Sequence, residues 1–104
     1  MRALLFEGAE RSMYNGSVKR YVDVRERFEY MAGHVDGAVN IPLSLLEMHF
    51  ETATKGLDTS DTLVLYCQSG SRAAFAKHIF ESHGYLNVIN GINQPSIENN
   101  IKTP

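Results

Sequence analysis

The sequence predicts a small α/β domain built on a parallel sheet, and three observations carry that expectation. Short apolar runs rich in β-branched and aromatic residues recur at residues 21–24, 38–41, 62–66 and 85–90. Segments with helical spacing lie between them, and turn-forming residues separate the two kinds. Strands that alternate with helices in this way argue for parallel pairing, right-handed crossovers and helices on both faces. At 104 residues the chain suits one domain, long enough for a core without metal or disulfide staples.

Residues 1–19 are expected to form a peripheral helix and turn, with the domain itself running over 20–104. Leu4, Leu5 and Phe6 could seed that helix, and Tyr14-Asn15-Gly16-Ser17 is a turn signal. The apolar block is too short for a secretory core, so the chain as written is expected to be cytoplasmic. Removal of a leader would make the periplasm the alternative.

The first strand, 21–24, holds Asp23 near its end. An acid there can receive the N–H groups of the next helix. Alternatively, Asp23 and Arg25 border a pocket at the sheet edge where the cysteine lies. Residues 25–32 read as a short helix with Phe28, Met31 and Ala32 inward, ended by Gly33. His34 in the following turn is read as satisfying backbone groups, with general-base chemistry the sharper alternative. After the strand at 38–41, Ser44 and Glu47 have capping-box spacing and should open a helix over Leu45, Leu46, His49 and Phe50. Thr54-Lys55-Gly56 should close it.

Asp58-Thr59-Ser60-Asp61 bounds the next run, 62–66, whose unbroken apolar character suits a strand covered on both faces. From Arg72, Phe75, Ala76, Ile79 and Phe80 share one helical face, while Lys77 and Glu81 point outward; Gly84 supplies a stop. A strand follows at 85–90, Gly91 turns the chain, and Pro95 suits the first turn of a last helix over 95–101.

Composition excludes several function classes. A formal net charge of -2 leaves no basic footprint for nucleic acid. No run approaches the roughly 18 apolar residues that span a bilayer. The single cysteine rules out an internal disulfide and any Cys-x-x-Cys metal or redox site. No cofactor and no metal are therefore expected, and the partners should be small molecules met by a monomer. A sulfur adduct on that cysteine would need an outside acceptor.

Cys67 lies where the strand at 62–66 ends, and Arg72 opens the helix after it. Open α/β sheets place ligands in such loops, and the free N–H groups of the helix end favour anions. A cysteine there has its thiolate stabilised, and the thiolate is the nucleophile. An inert buried cysteine is the plainer alternative; the strand-to-helix position argues against it.

Val22-Asp23-Val24-Arg25, Glu29, Gly33-His34-Val35, Gly37-Ala38 and Asn40-Ile41-Pro42 form the first of three ordered motifs that together resemble the rhodanese-like domains. Tyr66-Cys67-Gln68-Ser69-Gly70-Ser71-Arg72-Ala73 is similar to the family's active-site loop, and Gly84-Tyr85 with Asn87-Val88 to the approach to its last strand. The resemblance implies a three-layer domain with a mostly parallel five-stranded sheet flanked by helices. It implies that Cys67 takes a sulfane sulfur from thiosulfate or a persulfide and hands it to cyanide or a thiol. The short single-domain form is similar to the phage-shock type. One departure stands out: the family follows its last strand with paired glycines and a tryptophan, whereas Gly91 here precedes Ile92-Asn93-Gln94 and the chain has no Trp.

Within that resemblance, the N–H groups of Gln68, Ser69, Gly70, Ser71 and Arg72 are expected to surround the sulfur. Gly70 lets the backbone turn inward, and Ser71 adds a hydroxyl. Arg72 either attracts an anionic donor or braces the loop against Asp23 or Glu29. Phosphatases and arsenate reductases on this fold have a loop one residue longer. Four residues between Cys67 and Arg72 make a ring sized for one outer sulfur atom, so sulfur transfer is favoured. A non-catalytic sulfur carrier or regulatory module is the other alternative.

Overall fold

The computed structural model describes residues 10–11 and 18–102. The helix and turn expected over residues 1–19 lie outside the described residues except at 10–11 and 18–19, which are strand. The elements run β1 (Glu10–Arg11), β2 (Val18–Asp23), α1 (Arg27–Ala32), β3 (Val39–Asn40), α2 (Leu43–Met48) and α3 (Phe50–Ala53). They continue through β4 (Thr62–Cys67), α4 (Ser71–Ser82), β5 (Asn87–Asn93) and α5 (Gln94–Lys102).

β4 is central, with β2 and β5 parallel to it on either side. β3 pairs parallel with the end of β2, and β1 pairs antiparallel with its start. The parallel part of the expected mostly parallel sheet therefore has four strands. β1 completes a five-stranded hydrogen-bonded set but runs the other way. Residues 12–17 are too short a connection for a parallel crossover, so the chain can only return antiparallel.

Alternation along β4 divides the core. Leu63, Leu65 and Cys67 face one cluster with Leu46, Ala73, Ala76 and Phe80, which places α2 and α4 on that side. Val64 and Tyr66 face the other, with Val35, Ile97 and the partly buried Tyr30, which places α1 and α5 there. Three layers result, helix on sheet on helix. Phe80 anchors the first cluster, edge-on to Phe50 at 5.3 Å and to Tyr85 at 5.0 Å between ring centroids. α4 ends as its glycine predicts: Gly84 has φ +91°, and the N–H groups of Gly84 and Tyr85 bond Glu81 and Phe80.

Apolar spacing misassigns several faces. Phe28 and Met31 on α1 are 74% and 69% exposed, not inward, and Ala32 is exposed as well. That helix is oriented by polar anchors: Tyr30 Oη donates to Ala38 O at 2.8 Å, and Glu29 meets Arg72. Phe75 is 65% exposed, because close packing of α4 on the sheet selects the small Ala73 and Ala76 instead. Ser44 caps nothing: Pro42 occupies the cap position, and Ser44 lies inside α2, which breaks at His49 before α3. Gly91 does not turn the chain but lies within β5, which runs on to Asn93.

A Cβ at Gly91 would lie 2.8 Å from Val64 Cγ1 and 2.9 Å from Ile97 Cδ1, between sheet and α5. Gly91→Ala should therefore destabilise the domain by about 1–3 kcal/mol, as overpacking does. Urea unfolding checks this, and an unchanged midpoint would refute the close approach.

Candidate active site

β4 delivers Cys67 at its carboxyl end, 2% exposed, on the face shared with α4. The chain then turns through Gln68, Ser69 and Gly70 before α4 begins at Ser71. Gly70 is the N-cap of α4, at φ +94° and ψ −10°, a left-handed conformation that a glycine adopts without cost. That turn aims its N–H at the thiol, 3.0 Å from Sγ.

Two opposing effects act on Cys67. Burial pushes the thiol up from its ordinary value. Hydrogen bonds from the backbone N–H groups of Ala73, Ser69, Gly70 and Arg72 outweigh that, and the net shift is down. The source of the stabilisation is thus the free amides of a helix start rather than a side-chain base. Ala73 was not expected among the donors. Its N–H is free of intrahelical bonding because Ala73 lies in the first turn of α4, which begins at Ser71, one residue earlier than spacing suggests.

The remaining loop residues divide by role. Gln68, Ser69 and Ser71 are exposed, and the two serine hydroxyls lie 3.2 Å apart. Arg72 faces Glu29 in a two-pronged pair, Nη1 to Oε1 at 2.7 Å and Nη2 to Oε2 at 3.1 Å. Oε1 of Glu29 also accepts the N–H of Glu26 at 2.9 Å. The Arg72 hydrogen bonds, opposed by partial burial and helped by the Glu26 amide, hold the Glu29 carboxyl at about 2. Of the two roles expected for Arg72, the brace onto Glu29 is the one its contacts display.

Asp23 and Arg25 do reach the same sheet edge, since Asp23 stands opposite Tyr66 in register. Their bonds, however, run to each other: Arg25 Nε and Nη2 donate to the Asp23 carboxylate at 3.0 and 2.7 Å. Nη2 also donates to Gly33 O at 2.7 Å. The buried Asp23 further accepts the Arg25 amide at 2.9 Å, so the pair ties off the end of β2. His34 stacks on Tyr30 at 3.6 Å and its Nδ1 lies 2.8 Å from Tyr30 O, the backbone role anticipated for it. Among the described residues, no group of three or more His, Cys, Asp or Glu could hold a metal ion.

Two contacts on the loop carry no sequence signal. Asn90 Nδ2 donates to Gly70 O at 3.0 Å, and Ile92 lies against the Gly70 backbone. Only the pairing of β5 with β4 brings them there. A hollow of about 310 Å³ lined by Tyr21, Val64, Ile97 and neighbours opens on the opposite face of the sheet, away from the thiol.

Cys67 is thus held in a cup of backbone amides at a strand-to-helix junction, an arrangement that favours its thiolate. The particular family follows from comparison. The model of the rhodanese-like domain matches residues 7–93, and the chain belongs to that family. It is 36% identical over 74 residues to the Escherichia coli thiosulfate sulfurtransferase PspE, covering 71% of this chain and 69% of that protein. It is 35% identical to the thiosulfate:glutathione sulfurtransferase of Saccharomyces cerevisiae, covering 64% of this chain and 54% of that one. Among solved structures, a rhodanese with anions from E. coli superposes with a TM-score of 0.65 at 35% identity. The match covers 75% of this chain and 89% of that one.

The Glu29–Arg72 pair makes stability depend on acid. The folded carboxyl titrates near 2 rather than its ordinary 4.5, so its contribution is complete above about 4.5 and lost as pH falls through 2. Because both side chains are partly solvated, Glu29→Gln should cost under about 1 kcal/mol at neutral pH. Its melting temperature should converge on that of the unsubstituted protein by pH 2. A gap that stays constant across this range would contradict the pairing.

Proposed function

We propose that this protein is a sulfurtransferase enzyme that moves a sulfane sulfur from thiosulfate, or from a persulfide, through a persulfide on Cys67 to an outside thiol or cyanide. The observation that carries the proposal is the cup itself. Sγ of Cys67 faces the N–H of Gly70 at 3.0 Å with the amides of Ser69, Arg72 and Ala73 around it.

The chemistry balances with this chain supplying only one nucleophile. The Cys67 thiolate attacks the outer sulfur of thiosulfate, a new S–S bond forms, and sulfite departs with the electron pair of the old one. The terminal sulfur of the resulting persulfide lies where the amides can stabilise its charge, as an oxyanion hole does for oxygen. An incoming thiolate or cyanide then takes that sulfur, and Cys67 leaves again as the thiolate that the same amides favour. With no second cysteine in the chain, the acceptor must come from solution or from another protein.

The tight loop supports sulfur over phosphorus. Gly70 crosses close over the sulfur, and a four-residue span leaves a ring suited to one added atom. A tetrahedral phosphoryl or arsenyl group needs a wider cradle. Arg72 serves this chemistry by fixing the start of α4 through Glu29.

Two measurements test the proposal. Exposure to thiosulfate should add about one sulfur atom to the intact mass, and Cys67→Ser should remove the gain. With cyanide present, thiocyanate should accumulate over many turnovers and cease in the Ser variant. Mass gain without turnover would mark a sulfur carrier and overturn the enzymatic reading. Phosphatase activity in its place would overturn the loop-size argument.

A further inference from the structure

Gly70 has no side chain, so nothing of its own holds the conformation that aims its N–H at Cys67. The restraint comes from β5. That strand carries one extra residue opposite β4: Leu65 pairs with Asn90, whereas Cys67 pairs with Asn93. The bulge falls at Gly91 and Ile92, and bulges re-aim the side chains beside them. Asn90 is the side chain that benefits. Its Nδ2 donates to Gly70 O at 3.0 Å, and its Oδ1 accepts the N–H of Ile92 at 2.9 Å. Both ends of the amide are thereby committed, and a flipped amide would break both bonds.

Gly70 is thus gripped on three sides. Its carbonyl receives Asn90 and the N–H of Ala74, the latter at 2.9 Å. A Cβ on Gly70 would stand 3.3 Å from Ile92 Cγ2, so the Ile92 side chain closes the remaining side. Ile92 itself has φ +75°, a conformation a β-branched residue takes only when its surroundings impose it. The bond from its N–H to Asn90 is one such imposition.

We propose that Asn90 is a positioning residue for the sulfur-transfer site: it holds the Gly70–Ser71 peptide by its carbonyl, which restrains the torsions at the Gly70 Cα so that the Gly70 N–H, on the preceding peptide, stays directed at the sulfur of Cys67. It touches neither thiol nor substrate and acts only through Gly70. The proposal rests on the sulfur-transfer function for its purpose, but its geometry concerns the acidity of Cys67 whatever that thiol later does.

The test is the thiol titration of the full chain with Asn90→Leu, which keeps the volume and loses both bonds, and with Asn90→Ser, which is too short to reach Gly70. Neither substitution adds a charge. Thiolate absorbance and the pH dependence of iodoacetamide alkylation should both move to higher pH. Alkylation should be about three- to tenfold slower at a pH below both titrations, the effect of weakening one hydrogen bond to an anion. If the variants melt at lower temperature while Cys67 titrates unchanged, Asn90 is only a structural tie and the proposal fails. Should the Leu variant not fold, the Ser variant decides by the same criterion. An absence of persulfide in the unsubstituted protein would sink the proposed function and leave this titration untouched.

Discussion

The structure is organised around a conflict at one sulfur atom. Cys67 is buried, which favours the neutral thiol, yet the amides around it favour the anion. Among the described residues, no lysine or histidine is drawn in to resolve this. The charge is met by peptide N–H groups, which are fixed dipoles with no titration of their own. Such donors work only when the backbone is held to a fraction of an ångström, because hydrogen bonds weaken steeply once misaligned. Much of the surrounding architecture can be understood as the means of holding it.

Small residues do part of that. Ala73 and Ala76 are fully buried on the inner face of α4, and their size lets the helix axis approach β4 closely. A larger residue at 73 would lift the helix start, and the Ala73 N–H would lose the sulfur it now faces. Larger side chains are pushed outward instead, which is why Phe75 is exposed while Phe80, a turn and a half on, supplies the aromatic anchor. The Arg72–Glu29 pair then fixes the helix start from the side, tying α4 to α1 across the end of the sheet. The same pair explains why α1 can be anchored with two large apolar residues in solvent.

Local and long-range contacts divide what the sequence displays from what it conceals. The alternation of elements, the central run at 62–66, the cysteine loop and the Gly84 stop were legible because each depends on residues adjacent in the chain. The anion-favouring nature of the loop was legible for the same reason. What failed depended on contacts between distant segments. Apolar spacing on α1 pointed to Phe28 and Met31, but the polar bonds of Glu29 and Tyr30 set its orientation. Ser44 had the right spacing for a cap, but the chain enters α2 from β3 through Pro42. Asp23 and Arg25 lie at the sheet edge beside Tyr66, but their bonds run to each other. Asn90 could not be found at all, since a bulge in β5 is a matter of strand register and register is set by the whole sheet.

The departure at Ile92 shows how such a constraint is carried. A glycine at this position would adopt a positive φ without strain. Here an isoleucine does so at φ +75°, a position whose cost is of the order of 1–3 kcal/mol. The backbone path is thus one that a glycine would take more easily than the isoleucine that holds it. The path is what directs Asn90 at Gly70 and sets Asn93 opposite Cys67, where the Asn93 side chain also accepts the Ser96 N–H at 2.9 Å to start α5. Relaxing Ile92 into an ordinary extended conformation would remove the bulge and shift the register that places both asparagines. The isoleucine also gives something a glycine cannot, a side chain that closes one flank of Gly70. Strain at one residue thus sustains the alignment of another, and that alignment directs a peptide amide at the thiol.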